Sequence, residues 1–426
     1  MINVREFTNG YINTDTVQRA IDYAAENKKV LYFPAGIYRT SSLFLKSNSS
    51  LYLDENAVLS ALTDEEDWKN SKLTPFIYGK DAENISLRGK GVICCNGRFF
   101  VGEKGERKKT EFRPERTVVM QNCRNVIIES ITVVETIGWS IHLDNCEDVF
   151  VEGVIVRNPT QEIIRNADGI DINGCRNVTV LNCDIETGDD AICLKNIDYT
   201  DNKTRLDYPR PDMYNISVYN CKMASTCNCA KIGTETVGNI YNVSFEKIQI
   251  FKHSGVNHDN QNKSSGTLGA PISAISVQSN DGGAVYNVKF KDIYAEEVDT
   301  PIFIECQCRD YYTKNNQNGY ISDVEIDGLY VKKCYRNSQV ISEKHGKINN
   351  VSISRVFAES YEAPNLEYHY RLKPINGYPD PENYGKFPAF GLFSINSKNV
   401  KIDKNVVFVD SGKSGRDAII VENEHE

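Results

Sequence analysis

Two short acidic segments carry the side chains of this sequence that are best suited to chemistry. Asn166-Ala167-Asp168-Gly169-Ile170-Asp171 contains two aspartates, and Gly188-Asp189-Asp190 contains two more. Asp168 precedes Asp189 by 21 residues. If one coil of the fold uses about that many residues, the two segments lie on adjacent parallel strands roughly 4.8 Å apart. Carboxyl groups that close together do not all ionise freely, which would place a protonated acid and an ionised base at one spot.

The stretch between the two segments predicts strands rather than helix. Residues 172–185 contain short β-branched runs broken by Asn and Gly, and they show no helical periodicity. A single Asp-Gly pair is typical of a turn. Three aspartates on neighbouring strands, Asp168, Asp189 and Asp190, favour a functional site instead.

A repeated phrase organises most of the chain: Asn or Asp followed by alternating aliphatic residues. Its ten copies begin at Asn84, Asn125, Asp148, Asn177, Asn215, Asn242, Asn287, Asp323, Asn350 and Asn399. The wider gaps between copies hold polar insertions, which is typical of a solenoid with loops on one face. We therefore predict an all-β fold, a single parallel β-helix domain over residues 1–426 with coils from about residue 30 to 426. Asn side chains at its corners can hydrogen-bond along the stack.

An amphipathic segment precedes the repeats. Its apolar residues fall on one helical face: Val17, Ile21, Ala24 and Ala25. We predict an N-terminal cap helix over residues 14–27, with the hydroxyl group of Thr14 capping its first turn. An open sheet edge can template aggregation, so this helix would cover the end of the β-helix.

Net charge and hydropathy argue against several classes of partner. The chain carries a formal net charge of −9, and its Lys and Arg residues are scattered, which argues against a nucleic-acid-binding surface. No apolar run is long enough to span a membrane. Residues Met1–Phe7 lack the apolar core of a signal peptide, so we expect a cytoplasmic protein unless a leader was trimmed. The oligomeric state is not predicted by the sequence.

Thirteen cysteines favour a reducing compartment, because an odd number cannot be fully paired in disulfides. Three of them precede a repeat-heading Asn or Asp by two residues, which predicts stacked and buried thiols: Cys123, Cys146 and Cys175. The Cys-x-Cys pairs at 227–229 and 306–308 have no neighbouring histidine. We therefore predict neither a metal site nor another cofactor.

Three segments are candidate walls of a cleft. Residues 197–213 and 252–270 are long polar insertions that follow the acidic segments. Residues 384–393 mix aromatic residues with Gly and Pro, and they predict either a further wall or a C-terminal cap.

Asn166-Ala167-Asp168 and Gly188-Asp189-Asp190 resemble the N-T-D and G-D-D motifs of glycoside hydrolase family 28, at a similar spacing. Phe33–Tyr38, Gly138–His142 and Ile232–Glu235 also resemble segments of bacterial members. The resemblance covers most of the chain. It implies a right-handed parallel β-helix of the polygalacturonase-like type, and with it an enzyme that hydrolyses glycosidic bonds.

The resemblance also implies roles for individual residues. Asp189 is similar in position to the general acid that protonates the leaving oxygen, while Asp168 and Asp190 resemble the pair that activates water. Asn166 would bind substrate beside them, and Asp171 is expected to be structural or supporting. Inversion of configuration is implied by the resemblance alone, since a spacing of one strand separation would by itself favour retention.

Three positions depart from the family pattern. Ala167 replaces the usual Thr. The G-H-G motif would fall around Cys227-Asn228-Cys229, which lacks an imidazole, and the R-I-K motif near residues 274–278, which lack both cations. In polygalacturonases those cations are expected to bind a uronate carboxylate, so the substrate is predicted to differ from plain homogalacturonan. Other cations that could serve an acidic sugar are Lys195, Lys231, Arg165 and Arg309.

Further residues are candidates for sugar binding: Trp139, His142, Asn228, Lys231 and Glu235. Trp139 would provide a stacking platform or pack in the core. His142 lies three residues on, with opposite strand parity, so we do not expect both rings to face the cleft. Lys231 and Glu235 would bind sugar groups or lie in a solvated turn.

The leading prediction is a glycoside hydrolase that cleaves a pectin-type or related oligosaccharide without a cofactor. Two alternatives stay open. A β-helix polysaccharide lyase or epimerase would need a Lys, Arg or His base and often Ca²⁺. A glycan-binding β-helix without catalysis is compatible with the missing histidine. Calcium dependence, or a product with a new double bond, would separate a lyase from a hydrolase.

Overall fold

The structure is a computed structural model. It describes residues 1–8, 12–102, 108–158, 166–198, 210–255, 269–309, 319–344, 347–364, 367–373, 375 and 377–423. The chain divides into two compact units. Met1–Asp190 with Gly255 forms the first, and Ala191–Ser254 with the described residues from 269 onward forms the second. The single domain over residues 1–426 remains a prediction. Within the described ranges, no helix is long and apolar enough to cross a membrane.

Short parallel strands build the first unit. They are β1 (Ile2–Asn3), β2 (Val30–Phe33), β3 (Gly36–Thr40), β4 (Leu43–Leu45), β5 (Ser50–Leu53), β6 (Ala57–Ala61), β7 (Ile77–Lys80), β8 (Glu83–Gly89), β9 (Val92–Cys94), β10 (Val118–Gln121), β11 (Arg124–Glu129), β12 (Thr132–Val134), β13 (Ile141–Asp144), β14 (Glu147–Glu152), β15 (Ile155–Arg157), β16 (Ile170–Asn173), β17 (Arg176–Leu181) and β18 (Asp184–Thr187). Short 3-10 helices lie at Val4–Phe7, Glu65–Trp68 and Gly97–Phe100.

These strands pair in parallel with strands one coil away, which gives three ladders. Ladder A joins β1, β2, β5, β8, β11, β14 and β17. Ladder B joins β3, β6, β9, β12, β15 and β18, and ladder C joins β4, β7, β10, β13 and β16. Alternate residues such as Val126 and Ile128 of β11 point inward and are fully buried. The first unit therefore has the parallel β-helix fold that the repeat predicts.

The second unit also consists mainly of strands, and several of them are longer than those of the first unit. They are β19 (Ile192–Asn196), β20 (Met213–Tyr219), β21 (Lys222–Ser225), β22 (Asn228–Thr236), β23 (Ile240–Glu246), β24 (Gln249–Lys252), β25 (Ser273–Ser279), β26 (Ala284–Ala295), β27 (Thr300–Cys306), β28 (Tyr320–Cys334), β29 (Ser338–Ser342), β30 (Ile348–Ser360), β31 (His369–Tyr370), β32 (Gly385–Lys386), β33 (Ala389–Ile402), β34 (Val407–Asp410) and β35 (Asp417–Asn423), with a 3-10 helix at Pro381–Tyr384.

One ladder of the second unit, here named ladder D, carries most of its buried polar side chains. It joins β19, β22, β25, β27, β29 and β33 in parallel register. A second series joins β20, β23, β26, β28 and β30. The second half of β26 also pairs with β24. This long strand therefore bends at a corner, and its two halves belong to two different sides of the coil.

The N-terminal helix lies close to its predicted bounds. Helix α1 spans Thr14–Glu26, and its predicted apolar face is buried: Val17, Ile21, Ala24 and Ala25. The predicted cap is wrong by one residue, because Oδ1 of Asn13 accepts the backbone amide of Thr16 at 2.9 Å. Gln18 donates to the carbonyl oxygen of Phe44 at 2.9 Å and accepts its amide at 2.8 Å. The helix thus satisfies backbone groups of β4, for which the described strands provide one pairing partner, β7.

All ten repeat-heading residues have a left-handed backbone, with φ between 53° and 59°. Asn is among the few non-glycine residues that adopt this conformation readily, which explains its recurrence at the corners. The corner side chains also bond along the stack. Nδ2 of Asn125 donates to Oδ1 of Asn84 at 2.7 Å, and Nδ2 of Asn177 donates to Oδ1 of Asp148 at 3.0 Å. The predicted corner ladder is therefore confirmed.

The predicted thiol stack is present in the first unit. Cys123, Cys146 and Cys175 are buried and unpaired, and the backbone amide of Cys146 donates to Sγ of Cys175 at 3.2 Å. The hydrogen bond with Cys146 and burial raise the pKa of Cys123, and burial raises the pKa of Cys146. These two thiols therefore stay protonated and act as small apolar groups in the core.

Candidate active site

Backbone hydrogen bonds bring the two acidic segments of the first unit together. The amide of Ser140 donates to the carbonyl oxygen of Asp168 at 2.8 Å, and the amide of Gly169 donates to that of Asp190 at 2.9 Å. Each of these bonds joins one coil to the next. The turns that hold Ser140, Asp168 and Asp190 therefore occupy three successive coils, as the 21-residue spacing predicts.

The three candidate catalytic carboxyl groups differ in exposure. Asp168 and Asp190 are each 3% exposed, whereas Asp189 is partly exposed. The backbone amide of Asp190 donates to Oδ1 of Asp189 at 2.9 Å, which fixes the direction of the more accessible carboxyl group. Asp171 is fully buried and lies in register with His142 of the preceding coil, a position that fits a supporting role.

A buried polar stack supports the first acidic turn, and the sequence interpretation missed it. Nδ2 of Asn158 donates to the hydroxyl oxygens of Thr136 at 3.0 Å and Thr187 at 3.4 Å. The hydroxyl group of Thr187 donates to the carbonyl oxygen of Ala167, the residue before Asp168. The stack thereby fixes the backbone from which Asp168 projects. Asn166, one residue earlier, is exposed and has a left-handed backbone (φ 55°).

Arg116 is a second residue that the sequence interpretation missed. Its guanidinium carbon lies 4.2 Å from the centre of the Trp139 ring, and Nη1 lies 2.8 Å from Nδ1 of His142. Because the guanidinium group only donates, Nδ1 accepts, and the proton of a neutral His142 lies on Nε2. The Trp139 and His142 ring centres are 4.8 Å apart with an interplanar angle of 83°. Arg116 thus contacts both of the rings that the sequence analysis gives as candidates for sugar binding.

The two rings differ in accessibility. His142 is 1% exposed, whereas Trp139 is partly exposed. This agrees with their opposite strand parity. Trp139 is therefore the more accessible of the two rings, and both His142 and Arg116 lie against it.

In the second unit, the family's histidine would fall at Cys227 or at Asn228, depending on a one-residue gap, and the candidate for substrate binding is Asn228. Its Oδ1 accepts from the hydroxyl group of Ser273 on the next strand of ladder D at 2.7 Å. Asn228 is 3% exposed. The bond to Ser273 orients the amide, so Asn228 is built into ladder D rather than left in a loose loop.

Lys231 and Glu235 lie on the same strand, β22, and both are buried. Lys231 is in register with Ser276, which lies in the segment near which the family's R-I-K motif would fall. Burial raises the pKa of Glu235, but Lys195, Arg309 and Lys231 together outweigh burial and lower that pKa. Glu235 is therefore an ionised carboxylate in a cationic surrounding, and the solvated-turn alternative is wrong for it.

The four alternative cations fall into three groups. Arg165 lies outside the described residues. Arg309 is committed to a buried pair, because Nε and Nη2 donate to the two carboxylate oxygens of Asp281 at 2.9 and 2.8 Å, while Nη1 donates to the carbonyl oxygen of Gly377 at 2.6 Å. Lys195 and Lys231 are buried, at 5% and 6% exposure, and their charges act on Glu235.

The predicted cleft walls are described in part. The insertions at 197–213 and 252–270 lie largely outside the described residues. Of the predicted wall at 384–393, Tyr384 ends a 3-10 helix, residues 385–386 form β32 with β31 as its antiparallel partner, and Ala389 begins β33.

Comparison with known sequences finds relatives among glycan hydrolases. Residues 28–204 match the family model described as Glycosyl hydrolases family 28. A polygalacturonase from Persea americana is 25% identical over 268 residues, covering 62% of this chain and 51% of that protein. A probable polygalacturonase from Vitis vinifera is 26% identical over 204 residues, covering 43% and 41%. The chain therefore spans about half the length of these curated relatives.

Solved structures share the fold. A polygalacturonase from Erwinia carotovora ssp. carotovora aligns with a TM-score of 0.61 at 16% identity, covering 98% of this chain and 95% of that one. The Streptococcus pneumoniae surface protein and adhesin PfbA also aligns with a TM-score of 0.61 at 16% identity, covering 98% and 99%. At this identity the likeness concerns the fold alone, and it confirms the predicted right-handed parallel β-helix.

Proposed function

The match of residues 28–204 identifies this part of the chain with glycosyl hydrolases family 28, and from that premise we propose that the protein hydrolyses a glycosidic bond in a pectin-type oligosaccharide. The observation that carries the proposal is the hydrogen bond from Gly169 to Asp190 at 2.9 Å, because it brings the two matched acidic motifs into adjacent coils. Glycoside hydrolysis requires two carboxyl functions beside one bond, one protonated and one ionised.

Asp189 acts as the general acid in this proposal. Its carboxyl group is the most accessible of the three, and the amide of Asp190 fixes one of its oxygens. In the reaction, the bond between the anomeric carbon and the leaving oxygen breaks. The proton of Asp189 passes to that oxygen, so the departing sugar leaves as a neutral alcohol.

Asp168 and Asp190 act as the base in this proposal. Their burial, at 3% exposure each, keeps bulk water away and favours a single ordered water between them and the sugar. That water forms a new bond to the anomeric carbon from the face opposite the leaving group, and its proton passes to one of the two carboxylates. The configuration is thereby inverted, as the family resemblance implies.

The substrate is proposed to be a pectic glycan that carries an acidic sugar but differs from plain homogalacturonan. Ser276 and Gln278 stand where the family pattern has cations, which removes the usual charge-assisted contacts to a uronate. Lys231, in register with Ser276, offers a positive charge one strand away, roughly 4.8 Å. The contact to a carboxylate would therefore be displaced relative to that of a polygalacturonase.

One experiment tests the proposed reaction against its alternatives. The protein is incubated with a panel of pectic oligosaccharides, with and without EDTA, and the products are identified by mass and by NMR. We expect shorter oligosaccharides with saturated ends, formed equally in both conditions. Unsaturated products or a requirement for calcium would indicate a lyase, and an unchanged chain length with altered sugar configuration would indicate an epimerase. Binding without any product would favour a non-catalytic glycan-binding protein.

The protein is also proposed to work in a reducing compartment, in agreement with a cytoplasmic location. The thirteen cysteines, all of which lie in the described ranges, form no disulfide bond with one another, and most are buried. Fractionation of the native cells, followed by detection of the protein in the cytoplasmic fraction, tests this proposal. Detection outside the cytoplasm with oxidised cysteines would contradict it.

A further inference from the structure

An open groove in the second unit lies outside ladder D. Its volume is about 500 Å³, and its lining residues belong mainly to β26, β28, β30 and β34. Ladder D contains none of these strands, so the groove is separate from Asn228, Lys231 and Glu235, which lie on β22. A groove of this volume is large enough for a small ligand. Its lining combines aromatic rings with a few charged and amide groups, which is typical of a binding site.

A row of stacked aromatic rings provides the apolar part of the lining. Tyr294, Tyr330 and Phe357 are in register on β26, β28 and β30. The ring centres of Tyr294 and Tyr330 are 5.8 Å apart with an interplanar angle of 7°, and those of Tyr330 and Phe357 are 5.0 Å apart with an angle of 14°. Val407 of β34 continues the row. Tyr330 is 46% exposed and Val407 is 47% exposed, so the row presents an apolar strip to solvent.

An ion-pair network fixes the polar part of the lining at the corner of the same coils. Nε and Nη2 of Arg355 donate to the two carboxylate oxygens of Asp327 at 2.6 and 2.8 Å, and Nη2 also donates to Oδ1 of Asp292 at 3.1 Å. Gly328 lies between Asp292 and Arg355 in the corner, with a φ of 84°. A Cβ atom there would lie 2.8 Å from Oδ1 of Asp292 and 3.0 Å from Nη2 of Arg355. Glycine at this position therefore lets Arg355 reach across one coil to Asp292.

The charges of this network leave the groove without a surplus of positive charge. One guanidinium group lies beside two carboxylates, and the hydrogen bond from Arg355 lowers the pKa of Asp327 to about 2, so that pair stays ionised at neutral pH. A sugar carboxylate in the groove would therefore meet more negative than positive charge. The groove favours an uncharged sugar over a uronate, unlike the acidic-sugar contact proposed for Lys231.

Polar groups of the lining are left available for a ligand. Among the residues that the structure describes, four of these groups make no hydrogen bond: the hydroxyl groups of Tyr294 and Tyr330, Nη1 of Arg355 and the side-chain amide of Asn405. Hydroxyl and amide groups both donate and accept, whereas a guanidinium group only donates. Neighbouring hydroxyl groups of a sugar also donate and accept, so they can satisfy these groups together while the C–H groups of the sugar ring pack against the apolar strip.

Stacking of aromatic rings alone does not produce such a groove. A second row in the same unit consists of Tyr214, Tyr241 and Tyr286, with ring centres 5.3 and 4.8 Å apart and interplanar angles of 15° and 13°. None of these three rings lines the groove, and all three are less exposed than Tyr330. The second row therefore provides a matched control for Tyr330.

We propose that the groove is a second carbohydrate-binding site, which shares no residue with the proposed active site and binds an uncharged oligosaccharide. Tyr330 and Phe357 contact the apolar side of the sugar rings, while Arg355 and Asp292 bond to their hydroxyl groups. The inference goes beyond the proposed hydrolysis and does not depend on it, because none of the groove residues has a part in that reaction.

Binding measurements with oligosaccharides test the inference. Tetrasaccharides of galactan, arabinan and xylan, which are uncharged, are titrated by calorimetry into the Asp189→Asn protein, so that the proposed hydrolysis does not consume them. We expect at least one of them to bind with equal affinity at low and high NaCl concentration, because no net charge is involved. Absence of binding for all three would overturn the inference, and so would binding of tetragalacturonic acid alone. Neither result bears on the proposed hydrolysis, which product analysis tests separately.

Variants of Tyr330 assign the binding to the groove. In the same Asp189→Asn background, Tyr330→Ala should weaken binding of the uncharged tetrasaccharide by about 10-fold, because apolar contact and a hydroxyl group are both lost. Tyr330→Phe keeps the ring stack and removes only the hydroxyl group, so it should weaken binding by about 3-fold and stays informative if the alanine variant is unstable.

Tyr241→Ala is the control, because it interrupts the second row of rings and should leave the affinity unchanged. Each variant is first checked for an unchanged far-UV CD spectrum and Tm. Equal affinity of the Asp189→Asn protein with and without the Tyr330 substitutions would place the binding elsewhere and overturn the inference.

Discussion

The backbone amide of Asp190 donates to Oδ1 of Asp189 at 2.9 Å, so one carboxyl oxygen of the proposed general acid is held by the chain itself. An asparagine at position 189 can accept the same bond through its own Oδ1, and its shape is nearly identical. This relationship makes Asp189→Asn an informative variant, because it removes the acidic proton with little change in geometry.

We expect Asp189→Asn to reduce kcat by about 10² to 10⁴-fold while substrate binding and folding persist, since general acid catalysis typically contributes a factor of that size. The assay uses the natural glycosidic linkage, because an activated leaving group departs without protonation and would hide the loss. Asp184→Asn is the control: Asp184 pairs with Arg157 at 2.6 Å near the surface, and its loss should leave kcat unchanged. Near-normal turnover of Asp189→Asn would end the general-acid assignment.

Arg116→Met should weaken substrate binding by about 2- to 30-fold, because it removes the cation beside Trp139 and the donor to His142. The effect should appear in KM more than in kcat. Arg98→Met is the matched control, since Arg98 also lies over an aromatic ring, that of Phe99, but at the surface. If both variants have the same kinetics, Trp139 is not a binding platform that depends on Arg116.

Asn125→Ala should lower the free energy of unfolding by about 1 to 3 kcal/mol, because it loses the bond to Asn84 and strains a left-handed backbone. Asn125→Gly also loses the hydrogen bond, but glycine adopts a left-handed backbone without strain. The glycine variant should therefore lose less free energy of unfolding than the alanine variant. Urea denaturation of the two variants measures the difference. Arg124→Ala, an exposed neighbour paired with Glu147, serves as control. An alanine variant at least as stable as the glycine variant would refute the corner explanation.

Glu305→Gln should change how stability depends on pH. Burial raises the pKa of Glu305 from 4.5 to about 7, while bonds from Tyr384, Asn280 and Gln278 and the charge of Arg309 oppose that rise. Between these pH values the folded state binds more protons than the unfolded state, so stability falls as pH rises through 7.

The glutamine mimics the protonated acid, so Tm of Glu305→Gln minus that of the wild type should be small at pH 4.5 and should grow towards pH 8. The corresponding change in the free energy of unfolding over this pH range is at most about 3 kcal/mol. Thermal unfolding monitored by CD at several pH values measures it, with exposed Glu325→Gln as control. A difference that does not vary with pH would show that Glu305 is not the titrating group.

The repeat and its corners could be predicted because their causes are local. A left-handed residue at each corner favours Asn, and the aliphatic alternation after it marks a strand with one buried face, so both are visible in the sequence. The helix cap shows the limit of such reasoning. Asn13 and Thr14 are both good capping residues, and only the backbone geometry shows that Asn13 takes the role.

The supporting residues of the site could not be predicted because their contacts cross coils of unequal length. Arg116 reaches His142 across 26 residues, and Tyr378 reaches Glu235 across 143 residues. Their meeting depends on the strand register and on the path of residues 377–384, which only the folded chain defines.

The hydrogen bonds between corner side chains run in one direction. Asn125 donates to Asn84, and Asn177 donates to Asp148, in each case towards the N-terminus. A carboxylate has no N–H group to donate, so the series of corner bonds stops at Asp148 and Asp323, where Asp replaces Asn. Within each unit, the series of corner bonds is therefore interrupted at the corner that carries aspartate. When one corner opens, the residue that loses its donor lies on its N-terminal side.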